Sequence, residues 1–167
     1  MLSTEKFYFS LPRCLACGIL LLLTACQPSA APKTGDVAPA ISCNDIAGEY
    51  FNLGGLKGRV VVIYFWSSKC CGDSLKRVEP FYAKKKHQGL SLVAVEVGGT
   101  KESVASFVAG NELSFTNLAD DYSMISKSYR VVGFPTIFIV DKNGMIRRKV
   151  SGEIQAEQLT KIADQYL

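Results

Sequence analysis

Val60-Val61-Val62-Ile63-Tyr64-Phe65-Trp66-Ser67-Ser68-Lys69-Cys70-Cys71-Gly72-Asp73 is the stretch whose reading decides the fold. Its first half is an unbroken run of β-branched and aromatic residues, the composition of a buried strand. The run is too short to cross a bilayer, which takes roughly 20 apolar residues as a helix. Two cysteines follow at once, and Ser74, Leu75, Lys76, Arg77 and Val78 continue as a helix-compatible segment. The pattern predicts a strand that delivers a thiol to a helix N-terminus. Unpaired N–H groups and the positive dipole end stabilise a thiolate there, and the thiolate is the reactive form of cysteine.

On either side the chain alternates strands and helices. Asn44 to Gly48 supplies a hairpin turn and Glu49 to Leu53 its return strand, ahead of a core strand at Arg59 to Phe65. After the cysteines a helix is expected from about Cys71 to His87, interrupted where Pro80 removes a backbone donor. Lys84-Lys85-Lys86-His87 closes it as a solvated, cation-rich terminus. A strand at Leu90 to Val97, a helix at Lys101 to Gly110 with Val104, Phe107 and Val108 inward, and a strand at Phe115 to Leu118 come next. Asp120-Asp121 caps a helix reaching Tyr129. Thr136 to Val140 and Met145 to Val150 form a hairpin across Asp141-Lys142-Asn143-Gly144, and Gln155 to Tyr166 is a final helix. This order describes an α/β sandwich around a mixed sheet.

The amino terminus is set apart from the fold. Lys6 and Arg13 flank a weakly charged start, an apolar run covers Cys14 to Leu23, and small residues follow, the layout of a secretory signal over residues 1–25. Leu23-Thr24-Ala25-Cys26 resembles a bacterial lipobox, in which cleavage leaves a lipidated Cys26. Residues 26–36, with Pro28 and Pro32, form a flexible tether, and residues 37–167 form the domain. Gln27 after the cysteine permits, by that resemblance, transport to an outer membrane. Of 6 cysteines, Cys14 and Cys17 leave with the signal and Cys26 carries lipid, so Cys43, Cys70 and Cys71 remain. An odd number of thiols in an exported domain argues against a disulfide framework and for a reactive thiol. The 48% apolar content suits one core, and the net charge of +4 is spread without a nucleic-acid motif.

The opening stretch resembles the active-site motif of membrane-anchored thioredoxin-like proteins of the TlpA/ResA type. In these a Phe-Trp pair and three more residues precede Cys-x-x-Cys. Phe65 and Trp66 match, Cys70 falls on the first cysteine and Asp73 on the second. In that family the second thiol resolves the mixed disulfide formed by the first, which a carboxylate cannot do. Val37-Ala38-Pro39-Ala40-Ile41 resembles the family's Ala-Pro-Asp-Phe start, and Leu56-Lys57-Gly58 its Leu-Lys-Gly before the first core strand. Val132-Gly133-Phe134-Pro135-Thr136 resembles the Gly-x-Pro-Thr segment, whose proline is cis and packs beside the nucleophilic cysteine. Two departures concern the helix below the site: Pro80 lies two residues later than the family proline, and Lys76 stands where relatives carry a glutamate. The resemblance runs from about Val37 to Leu167. It implies a thioredoxin-like sandwich, with a mixed central β-sheet flanked by helices and an N-terminal β-hairpin extension. It also implies that Trp66 lines the approach to Cys70 and that Phe134 and Pro135 shape substrate docking.

With Cys70 as N-cap, Asp73 at the third helical position reaches back to the Cys70 N–H as a capping-box acid, or serves as a proton shuttle. Cys71 is the candidate resolving thiol. Adjacent Cα atoms lie about 3.8 Å apart, below the usual disulfide range of about 4.4–6.8 Å, so a Cys70–Cys71 bond is strained and easily reduced. Cys43 or an external thiol are the other routes, and Cys43 also suits a small buried position on an N-terminal strand.

Two function classes follow. One is a lipid-anchored thiol–disulfide oxidoreductase on the periplasmic side of the cell envelope, with Cys70, Cys71 and Asp73 as catalytic candidates. Its partners are cysteine-containing client proteins and a membrane or periplasmic redox partner. The other keeps the fold without turnover, as a binding or redox-sensing module that has lost its resolving cysteine. A peroxidase motif Pro-x-x-x-Thr-x-x-Cys needs proline at Ile63 and threonine at Ser67, and copper delivery needs Cys-x-x-x-Cys with a later histidine. Neither pattern is present, and no metal or cofactor fingerprint accompanies the cysteines.

Overall fold

The regular structure starts with an antiparallel hairpin of β1 (Ser42–Asn44) and β2 (Tyr50–Asn52), and leads into β3 (Val60–Trp66), which is buried at every position. The computed structural model describes residues 30–167; the secretory segment, Cys26 and the tether up to residue 29 fall outside the described residues. β3 lies at the centre of a five-stranded sheet ordered β5-β4-β3-β6-β7, with β4 spanning Leu90–Val97, β5 Thr116–Asp120, β6 Thr136–Val140 and β7 Ile146–Ser151. β3, β4 and β5 are parallel, whereas β6 runs antiparallel to both β3 and β7. A strand paired on both edges and covered on both faces has no polar position to fill, which is why the 60–66 run is uninterrupted.

Period-two alternation sorts the core. Val60, Val62, Tyr64 and Trp66 face the helical side with Leu75, Val78, Phe81, Val104 and Leu159, whereas Val61, Ile63 and Phe65 face Ile41, Leu53, Tyr129 and Phe138. The Tyr129 hydroxyl donates to the Pro39 carbonyl at 2.7 Å, tying the 37–41 segment to the second face. Residues 33–38 are also pinned to the β6–β7 turn, with Gly35 N–H donating to Ile146 and Ala38 N–H to Gly144.

The long helix expected over 71–87 is broken. α1 is Gly72–Lys76 and α2 is Glu79–Lys85, followed by a 3-10 turn at Lys86–Gln88. Pro80 sits in the first turn of α2, where its missing N–H costs nothing; continued helix would drive its ring against the Lys76 carbonyl, so the chain restarts at Arg77-Val78. α3 (Lys101–Gly110) is capped by Thr100, whose hydroxyl accepts from Ser103 N–H at 3.3 Å. Asp120 accepts from Ile125 and Ser126 N–H at 3.0 and 2.7 Å, starting α4 (Met124–Ser128). α5 (Ala156–Ala163) begins with a Gln155–Gln158 capping box. No helix of the described residues is long and apolar enough to cross a membrane.

This topology gives the sheet two unlike ends. The C-termini of β3, β4 and β5 and the start of β6 meet at one; the starts of β3, β4 and β5 and the β6–β7 turn meet at the other.

Candidate active site

At the first of these ends β3 stops at Trp66 and the chain turns sharply. The Ser67 carbonyl accepts from the N–H groups of both Cys70 (3.1 Å) and Cys71 (3.0 Å). This places Cys71, not Cys70, at the N-cap of α1, one residue later than expected from the sequence. Cys70 is exposed and Cys71 is buried at 4% exposure, yet their Sγ atoms are 2.8 Å apart. Ser67 N–H also donates to the Cys71 sulfur at 3.5 Å. Burial foremost, and then the neighbouring Cys70, push the Cys71 thiol up to about 11. Tyr64 donates to Ser74 Oγ at 3.1 Å, and Ser74 donates to the Cys71 carbonyl at 2.8 Å, so the buried thiol sits on a fixed backbone. Burial likewise raises the Tyr64 phenol.

Asp73 does not cap the helix through Cys70, because the Ser67 carbonyl already holds that N–H. Its side chain is 85% exposed and pairs with Lys76 at 3.0 Å, and the Lys76 hydrogen bond holds its carboxyl below the usual carboxylate range. An exposed carboxylate stabilised as the anion is a poor proton shuttle, so the structure assigns Asp73 to the helix surface.

Trp66 does not line the approach either. It is fully buried, because an even-numbered position on β3 points to the helical face, and it packs on Phe107 with ring centroids 4.7 Å apart. Gly72 completes that packing: a Cβ there would come within 2.9 Å of the Phe107 ring, so only glycine lets α1 start against it. The Trp66 indole Nε1 has no hydrogen-bond partner among the described residues.

Pro135 reaches the same end of the sheet, since the residue after it, Thr136, pairs with Phe65 of β3. The Phe134–Pro135 peptide is cis, Pro135 is buried, and Phe134 is 37% exposed beside the fully exposed Val132. Thr136 Oγ1 donates to the Gly133 carbonyl at 2.7 Å and fixes this turn. Cys43 sits elsewhere: it is half-buried against the opposite face of the sheet from Cys71, and burial, then Asp120 and Asp45, raise its thiol. The described cysteines are all unbonded.

Sequence reasoning does not single out Glu96. It pairs with Trp66 in the β3–β4 register, is 1% exposed, and accepts from the N–H and the hydroxyl of Ser68, both at 3.1 Å. Its other oxygen accepts from Gly99 N–H, and a Cβ at Gly99 would collide with the carboxylate at 2.4 Å. The signal was present, as Glu96 shares the inward parity of Leu90, Leu92 and Ala94. It ties the turn before Cys70 to the loop after β4. No cluster of metal-ligating side chains occurs among the described residues.

A sequence profile described as the AhpC/TSA family matches residues 34–149. The thiol-disulfide oxidoreductase ResA of Bacillus cereus (strain ATCC 10987 / NRS 248) is 32% identical over 129 residues, covering 76% of this chain and 75% of that protein. ResA of Geobacillus kaustophilus is 29% identical over 133 residues, covering 78% and 76%. Among solved structures, the thioredoxin domain of a thiol-disulfide oxidoreductase from Bacteroides vulgatus is similar at TM-score 0.71 and 27% identity, over 81% of this chain and 99% of that one. StoA from Bacillus subtilis is similar at TM-score 0.65 and 27% identity, over 75% and 96%.

Proposed function

We propose, from the premise that this chain belongs to the AhpC/TSA family, that it is a thiol–disulfide oxidoreductase similar to ResA, held outside the cytoplasm by lipid on Cys26. The observation that carries the reading is one exposed and one buried thiol with sulfurs 2.8 Å apart at the mouth of the sheet. Such a pair can do what Cys-x-x-Cys does with the spacing reduced to zero.

Cys70, as thiolate, attacks one sulfur of a client disulfide. That S–S bond breaks, the first client sulfur leaves and takes up a proton, and a Cys70–client mixed disulfide remains. Cys71 loses its proton and attacks Cys70 Sγ, forming the Cys70–Cys71 bond and releasing the second client thiol. The client gains two electrons and the pair loses two. An external dithiol in the membrane or periplasm returns them, and the same steps in reverse oxidise a client. Adjacency strains the Cys70–Cys71 bond, which keeps it reducible.

Trapping tests this. Cys71→Ser is expected to accumulate mixed disulfides with clients, Cys70→Ser to form none, and the wild type to turn over insulin or glutathione disulfide. A wild type with no turnover overturns the enzyme and leaves a binding or redox-sensing module. Differential alkylation with mass spectrometry is expected to show Cys70 bonded to Cys71 in the oxidised protein, with Cys43 free.

A further inference from the structure

We propose that the end of the sheet opposite Cys70 rests on an anionic membrane surface, so that the reactive pair faces away from the lipid. This rests on the anchored reading above.

The two ends differ in charge. Lys33 and Lys142 lie on the pinned 33–38 segment and the β6–β7 turn, Lys57 lies on the loop before β3, and Lys84 and Lys86 lie before β4. All belong to the end away from Cys70, and the loops are knitted together: Gly58 N–H donates to the Lys142 carbonyl and Arg59 donates to the Lys86 carbonyl. Beside them Lys142, Arg147 and Arg148 line a shallow depression of about 530 Å³ with Thr34 and Tyr166. Carboxylates at this end are mostly engaged. Asp141 pairs with Arg147, Asp164 with Lys85, Lys142 Nζ donates to the Leu167 carbonyl oxygen, and Asp36 accepts from Lys33 N–H; Glu112 stands apart. Around the other end the acids Asp45, Asp73, Glu96, Asp120, Asp121 and Glu153 are matched by the bases Lys69, Lys76, Arg77, Lys101, Lys127 and Arg130, with Asp73 paired to Lys76 and Glu153 to Arg77, so no excess of cations stands there.

The chain reaches the domain from the basic end, since residues 33–38 bond to Ile146 and Gly144. A lipid upstream of residue 31 therefore brings the cationic loops, and not the Cys70 end, to the bilayer. Cations near an anionic leaflet are attracted within a Debye length of roughly 10 Å, and acids are repelled. β3 separates the two ends by about 3.3 Å per residue, enough to hold Cys70 roughly 20 Å above the docked face.

Lysine acylation read by mass spectrometry tests the docked face on the lipid-bearing protein, reconstituted in neutral phosphatidylcholine vesicles or in vesicles containing about one-third phosphatidylglycerol. Lys57, Lys84, Lys86 and Lys142 are expected to react at least about threefold more slowly in the anionic vesicles, with the difference lost in high salt. Lys69, Lys76 and Lys101, at the Cys70 end, serve as internal controls and keep their rates. Equal rates in both vesicles, or slowing at the Cys70 end, overturns the proposal. The mass of the Cys26 peptide reports the anchor separately. If it carries no lipid the anchored reading fails, and flotation of the same protein with anionic but not neutral vesicles still supports the docked face; no flotation overturns it.

Discussion

At the residue scale the chemistry turns on a thiol that is reluctant to ionise. Burial foremost, and then the Cys70 neighbour, raise Cys71 to about 11, so at neutral pH its thiol form predominates. The neutral form is the favoured one, and the thiolate appears as pH rises toward that value. In a Cys70 mixed disulfide the Cys70 thiol no longer adds to that shift but burial still raises Cys71, so its attack should speed up as pH rises above neutral and level off once Cys71 is ionised. Stopped-flow release of a thiol from a preformed Cys70 adduct measures it. A flat profile would mean that another group takes the Cys71 proton, or that Cys71 is not the resolver. Asp73, exposed and held by Lys76, is a poor candidate for that group.

At the scale of elements, the turn and α1 act as one unit. Five residues cannot form a stable helix alone, so α1 is held by what it buries. Leu75 is its fully buried anchor, directly beneath the Cys71 N-cap. Leu75→Ala is expected to cost about 2–5 kcal/mol in urea unfolding and to raise the alkylation rate of Cys71 well before global unfolding. Stability loss with Cys71 still protected would show that the turn is held by Ser67 and Glu96 without α1. These contacts also mark what the chain discloses by pattern and what it does not. β3 was legible because burial on both faces demands an unbroken apolar run, whereas the cis-Pro135 turn was legible only through the resemblance of Gly133-Phe134-Pro135-Thr136 to a family segment, since the pattern alone marks no more than a loop entering a strand. The N-cap was misplaced by one residue because the Ser67 carbonyl takes two N–H groups, a turn geometry that leaves no periodic trace. Trp66 was misjudged because its exposure depends on Phe107, some forty positions away and free to approach only because residue 72 is glycine. Glu96 hid inside an apolar strand, its partners supplied by two loops.

At the scale of the whole molecule, apolar side chains are left uncovered around one end of the sheet. Val132 is 99% exposed and Phe134 37% on the turn before β6, with Tyr122 and Met124 exposed after β5. All follow or precede strand ends that share the Cys70 edge. A protein client can bury these side chains while its disulfide meets Cys70, whereas a small disulfide touches only the sulfur. Charging the turn should therefore separate the two substrates. A Val132→Asp, Phe134→Asp double variant loses apolar burial of about 1.5–3 kcal/mol per side chain at most, part of it already forgone by the half-covered Phe134. At about 1.4 kcal/mol per tenfold, KM for a protein disulfide should rise about tenfold or more, with kcat and the rate toward glutathione disulfide little changed. Parallel kinetics on the two substrates decide it. An equal fall on both would place Val132 and Phe134 in the support of the Cys70 turn, and no change on either would move the client surface away from Pro135.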